Sequence, residues 1–145
     1  MAILHVEDQQ SIREVVGRAL HAFGFAVLSA DGVNAAKLAL AERDDVRGAL
    51  LDVRLRDGSG VDLYHWIVAN RPDLARRVVF LTGSANAEAL DRLAATGCPV
   101  LTKPFEIADL VRVAAGWEGP VDASRQRESA SREHSPLLTP TREAR

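Results

Sequence analysis

Cysteine is almost absent: Cys98 is the single one in 145 residues, so no internal disulfide can staple the fold. That usage suits a reducing compartment, and a cytoplasmic protein is expected. No apolar run approaches the ~20 residues that span a bilayer, so no membrane association is expected. A secretory leader would need a basic start and a long apolar stretch. Here AILHV follows Met1 directly and leads into Glu7 and Asp8. There is no surplus of positive charge either. A net charge of −2 gives no basic excess of the kind that binds nucleic acid. The histidines lack zinc spacing, and no P-loop GxxxxGK(S/T) is present.

What is present reads as one globular domain, with 47% hydrophobic and 26% charged residues. Short apolar runs alternate with amphipathic stretches. AILHV is a first strand. Ile12, Val15, Val16, Ala19, Leu20 and Phe23 then form one stripe of a 3.6-residue helix. Gly24 is placed to end that helix as its C-terminal cap. Residues 25–29 are a second strand and 35–43 a second, alanine-rich helix. Residues 48–53 (GALLDV) and 78–82 (VVFLT) are nearly continuous apolar runs, which suits strands covered on both faces. Between them Ser59 and Asp62 form a capping-box pattern, and Arg71-Pro72 stops the helix carrying Leu63 and Ile67. Asn86 is a cap for a fourth helix bearing Leu90, Leu93 and Ala94. Residues 100–102 are a short fifth strand. Ile107, Leu110, Val111 and Ala114 mark a fifth helix.

Five β-α units in strict alternation predict an α/β fold, a doubly wound parallel sheet with helices on both faces. The flavodoxin-like order 2-1-3-4-5 is expected. Residues 1–119 are read as this domain. Residues 120–145 are rich in Ser, Arg and Glu, without an aromatic, and are read as a disordered polar tail. At 26 residues the tail is short for a DNA-binding output domain, so a stand-alone domain is expected.

In such sheets ligands sit beyond the carboxyl ends of the strands. Glu7 and Asp8 end the first strand, Asp52 the third, Thr82 the fourth and Lys103 follows the fifth. Strands one and three are neighbours in the expected order, so three carboxylates converge. They repel unless protonated or neutralised by a cation, and an all-oxygen set suits Mg²⁺. With the Lys103 ammonium and the Thr82 hydroxyl opposite, the set describes a phosphoryl-transfer site with a carboxylate nucleophile.

These residues resemble the response-regulator receiver family of two-component signalling, CheY-like, over residues 2–117. The resemblance implies that Glu7 and Asp8 position Mg²⁺ and that Asp52 is the phosphoacceptor. Thr82 and Lys103 would bind phosphoryl oxygens, and the backbone carbonyl of Arg54 would be a further metal ligand. It implies a phosphorylation-dependent switch rather than an enzyme in the usual sense. The partners would be a histidine kinase or a histidine phosphotransfer protein, and an unidentified downstream protein. A homodimer through helix 4, strand 5 and helix 5 is a further implied option. A cis Lys103-Pro104 bond is expected from the same resemblance. Three positions depart from the pattern. Arg56 replaces a frequent proline, which predicts a less rigid loop after Asp52. Val100 replaces an inward-swinging aromatic, so coupling is expected through residues 83–88 instead. The acidic pair is Glu-Asp rather than Asp-Asp.

Other readings stand beside this one. A Mg²⁺-dependent phosphohydrolase with an Asp nucleophile would want DxDx(T/V) on the first strand and an acid where Arg54 stands. A flavin binder would want a hydroxyl- and glycine-rich phosphate loop where Glu7 and Asp8 stand. A receiver could also act as a phosphate sink or shuttle. Taken singly, Asp8 or Asp52 would be a helix cap or turn residue; five positions in register at strand ends would not. His5, His21 and His65 are read as packing or surface residues, Trp66 and Trp117 as covers for the sheet, and Cys98 as a small buried filler.

Overall fold

A computed structural model of the chain describes residues 2–83 and 87–117. The expected domain boundary at 119, the tail, and the caps and loop positions at 84–86 lie outside the described residues.

Five strands build one parallel sheet: β1 (Ala2–Val6), β2 (Ala26–Ala30), β3 (Val46–Asp52), β6 (Val78–Thr82) and β7 (Val100–Thr102). Their order is β2-β1-β3-β6-β7, the expected 2-1-3-4-5 arrangement. The three inner strands are buried at nearly every position, which is why they read as continuous apolar runs rather than alternating ones. A two-residue pair, β4 (Arg54–Leu55) with β5 (Gly58–Ser59), forms a small antiparallel hairpin just after β3.

Alternate side chains feed two cores. Leu4, Val6, Leu51 and Phe80 pack on one face, beneath α2 (Val33–Glu42), α3 (Gly60–Asn70) and α5 (Ala87–Ala94). Ile3, Leu50, Val79 and Leu81 pack on the other, beneath α1 (Gln10–Ala22) and α6 (Ile107–Trp117). Each fully buried Leu or Phe contributes about 1.5–3 kcal/mol of transfer free energy, so both layers are needed to offset chain entropy.

Local signals account for the helix ends. Gly24 (φ 91°) donates to the His21 carbonyl and Phe25 to that of Leu20, a Schellman closure that also seats Phe25 against Leu20 in the second core. Ser59 Oγ accepts the Val61 N–H at 3.0 Å and caps α3, with Asp62 in the first turn. Gly48 on the central strand leaves room for the Trp117 ring: a Cβ there would lie 2.1 Å from its Cε3.

Several expectations need correction. Among the described residues there are six helices, not five, because Pro72 starts a four-residue helix, α4 (Pro72–Ala75), instead of a loop. The second helix runs over Val33–Glu42 rather than 35–43, and the third strand over Val46–Asp52 rather than 48–53. The α1 stripe is narrower than its spacing suggests. Val16 and Leu20 are buried, but Val15 and Phe23 are 58% and 62% exposed, because α1 touches the sheet along one line only. Likewise Leu93 of α5 is buried while Leu90 is 40% exposed.

Candidate functional site

The carboxyl ends of β1, β3, β6 and β7 surround a cleft of about 530 Å³ lined by Asp8, Gln9, Asp52, Arg54, Thr82, Gly83 and Lys103. Glu7 lies beneath it, fully buried. The parallel register explains the convergence. Val6 pairs with Leu51 and Asp52 with Leu81, so Glu7 and Asp52 emerge side by side and Thr82 follows one residue further along the next strand. Glu7, Asp8 and Asp52 each offer one carboxylate oxygen, and these lie within 4.8 Å of one another.

Lys103 reaches the acids from the far side. Its Nζ stands 3.0 Å from Glu7 Oε1 and 3.3 Å from Asp52 Oδ1. The Lys103-Pro104 bond is cis, as expected. The Lys103 N–H donates to the Thr82 carbonyl at 2.7 Å, which fastens the ends of β6 and β7 together. Burial opposes the charge on Lys103, but the bond to Glu7 and the charge of Asp52 outweigh it, so its pKa is raised and it remains an ammonium.

The two buried acids behave differently. Burial alone would raise Glu7. The Gln9 N–H, which donates to Glu7 Oε2 at 3.1 Å, and the Lys103 ammonium reverse this and hold its pKa low. Burial first, and the charge of Glu7 second, push Asp52 up to about 6. Both Glu7 oxygens therefore already carry a donor. Asp52 and the half-exposed Asp8 line the open cleft. Three carboxylates against one ammonium leave two negative charges in excess within this set, and every donor is an oxygen. That donor set fits a small hard divalent cation such as Mg²⁺. Asp8 and Asp52 could ligate it without displacing Lys103 from Glu7.

Sequence reasoning gave four residues around the site no part in it. Arg13 Nη1 donates to the Glu7 carbonyl at 2.7 Å from within α1. Arg56 Nη2 approaches the Asp8 carbonyl at 3.4 Å. Asp57, at the tip of the β4–β5 hairpin, bonds to the start of α2. His5 is fully buried behind Glu7, with neither ring nitrogen hydrogen-bonded among the described residues. Burial pushes its imidazole down to about 4, against the pull of Glu7 and with Lys103 and Arg13 adding to the fall. The one signal the sequence held for Asp57 is its place in Asp57-Gly58, a residue pair that favours turns. Gly60 also has a definite role: a Cβ there would lie 2.2 Å from the Asp52 carbonyl oxygen, so only glycine lets α3 start this close to the end of β3.

The sequence pattern of the response regulator receiver domain matches residues 3–115. The acid tolerance regulatory protein ActR of Rhizobium meliloti is 34% identical over 111 residues, covering 76% of this chain and 56% of that protein. The probable transcriptional regulatory protein TcrX of Mycobacterium tuberculosis is 36% identical over 115 residues, covering 77% of this chain and 47% of that protein. The chain thus spans about half the length of the curated relatives it matches. The crystal structure of a response regulator receiver protein from Pseudomonas putida superposes with a TM-score of 0.72 at 25% identity, covering 79% of this chain and 94% of that one.

Proposed function

Because the chain belongs to the response regulator receiver domain family, we propose that it is a phosphorylation switch in which Asp52 takes a phosphoryl group from a phosphohistidine-bearing partner. The donor would be a histidine kinase or a histidine phosphotransfer protein. Asp8, Asp52 and the Arg54 backbone carbonyl would hold Mg²⁺, with Glu7 supporting them from beneath. A bound Mg²⁺ supplies charge neutralisation for the phosphoryl oxygens.

The chain's own residues carry the other roles. The Asp52 oxygen is the nucleophile and forms the new O–P bond as the bond to the phosphohistidine nitrogen breaks. Lys103, kept cationic by Glu7, pairs with one phosphoryl oxygen in place of Asp52. The Thr82 hydroxyl donates to another. Drawing Thr82 inward would shift the surface of α5, β7 and α6 that would meet a downstream partner or a second copy.

One observation carries this reading: the Lys103 ammonium lies between a fully buried Glu7 and the Asp52 that faces the open cleft. Intact-mass measurement after incubation with acetyl phosphate and Mg²⁺ tests it. A single phosphoryl adduct is expected, lost with a chelator and lost in Asp52→Ala. An adduct that persists in Asp52→Ala would overturn the assignment.

A further inference from the structure

The loop that follows Asp52 is tied to a helix on another part of the sheet. Leu55 pairs with Gly58, so Arg56 and Asp57 occupy the two-residue tip of the β4–β5 hairpin. Asp57 Oδ1 accepts the Val33 N–H at 2.7 Å, and Oδ2 accepts the Asn34 N–H at 3.0 Å. These are the first two residues of α2. A helix start needs acceptors for its first N–H groups, and a carboxylate there also complements the helix dipole. The N-cap position itself is Gly32, which has no side chain to serve. The acceptor comes instead from 24 residues further along the chain.

The fit is close. A Cβ on Gly32 would lie 2.4 Å from Asp57 Oδ1, so the glycine leaves the space that the visiting carboxylate fills. The same two N–H donors hold the Asp57 carboxyl below the usual range. The rest of the loop is fixed from its other side. Gly60 N–H donates to the Val53 carbonyl at 2.8 Å, and Arg56 leans toward the Asp8 carbonyl. At Arg56, where the sequence has no proline ring to restrain the backbone, the loop makes these contacts.

We propose that Asp57 is a positioning residue for phosphoryl transfer: by capping α2 from the hairpin tip it fixes the loop whose Arg54 carbonyl helps hold the cation beside Asp52. This rests on the reading of Asp52 and its Mg²⁺ given above. The capped helix start and the cation site then form one mechanical unit, and loosening the cap loosens the metal ligand.

The test compares Mg²⁺ affinity, read by NMR titration of backbone amides, at a temperature where each variant is fully folded by circular dichroism. Asp57→Ala should weaken Mg²⁺ on the order of 10-fold, as expected for losing a support of a ligand rather than a ligand. The double variant Gly32→Asp with Asp57→Ala supplies a cap from α2's own N-cap position and keeps the local charge, but leaves the hairpin untied. Its Mg²⁺ affinity should stay weak. Should Asp57→Ala fail to fold, the double variant and Asp57→Asn carry the comparison, both binding Mg²⁺ more weakly than wild type. Wild-type affinity in Asp57→Ala, or affinity restored by Gly32→Asp, would overturn the proposal and leave Asp57 a helix cap only. Failure of the wild type itself to bind Mg²⁺ would instead overturn the assignment of the site.

Discussion

The Lys103 ammonium and the Glu7 carboxylate meet at 3.0 Å although 96 residues separate them, and Glu7 has no exposure to solvent. A buried carboxylate needs a partner, and this one is shared with Asp52 at 3.3 Å. Glu7 therefore anchors the lysine, and Asp52 is the member that also lines the open cleft.

Lys103→Ala should destabilise the protein. It leaves the Glu7 carboxylate with the Gln9 N–H as its remaining hydrogen bond among the described residues. Breaking a fully buried pair loses about 3–5 kcal/mol. Lys103 is partly exposed, so about 1–3 kcal/mol is expected, measured by urea denaturation at pH 7. Unchanged stability would mean that the pair contributes nothing.

Asp52→Asn should stabilise the metal-free protein above pH 6. In the fold Asp52 titrates near 6, above its unfolded value, so the folded state binds the extra proton between about pH 4 and 6. The stability linked to that proton is present below the unfolded pKa and is lost as pH rises through 6. The neutral amide escapes this loss, which is expected to be on the order of 1–2 kcal/mol at pH 7.5 and to vanish near pH 4. Mg²⁺ should reverse the ranking in the wild type. Thermal unfolding across pH with and without Mg²⁺ reads both effects, and parallel curves for the two proteins would refute the first.

His5 should give the opposite slope. Its folded pKa is depressed to about 4, so the unfolded chain takes up the proton first as pH falls below about 6.5. Stability linked to the neutral imidazole is complete above that value and is lost toward pH 4. His5→Leu in the Asp52→Asn background, where the opposing carboxylate titration is gone, should flatten the stability curve between pH 6.5 and 4. An unchanged slope would assign the acid sensitivity elsewhere.

Gly48→Ala should destabilise by about 1–3 kcal/mol through overpacking, since the added methyl would sit inside the Trp117 ring. With Trp66 replaced by Phe, the emission of Trp117 should shift red as the ring is pushed toward water. No spectral change would show that the indole does not rest on this strand.

Sequence alone determined the five strands of the parallel sheet, the longer helices between them and their order. Continuous apolar runs at β1, β3 and β6 marked covered strands, the glycine at 24 marked a helix end, and strict β-α alternation with right-handed crossovers left few topologies. Once that order is granted, acids at the ends of β1 and β3 must be neighbours. These features are set by contacts within a few residues, or by rules that hold for any such sheet. Tertiary structure alone decided which members of a helical stripe are buried, as with Val16 against Val15. It also decided that Trp117 lies on Gly48, that His5 is fully buried behind Glu7, and that Asp57 caps a helix 24 residues upstream. Each depends on where two distant pieces of backbone come to rest against each other, and periodicity along a single chain carries no record of that distance.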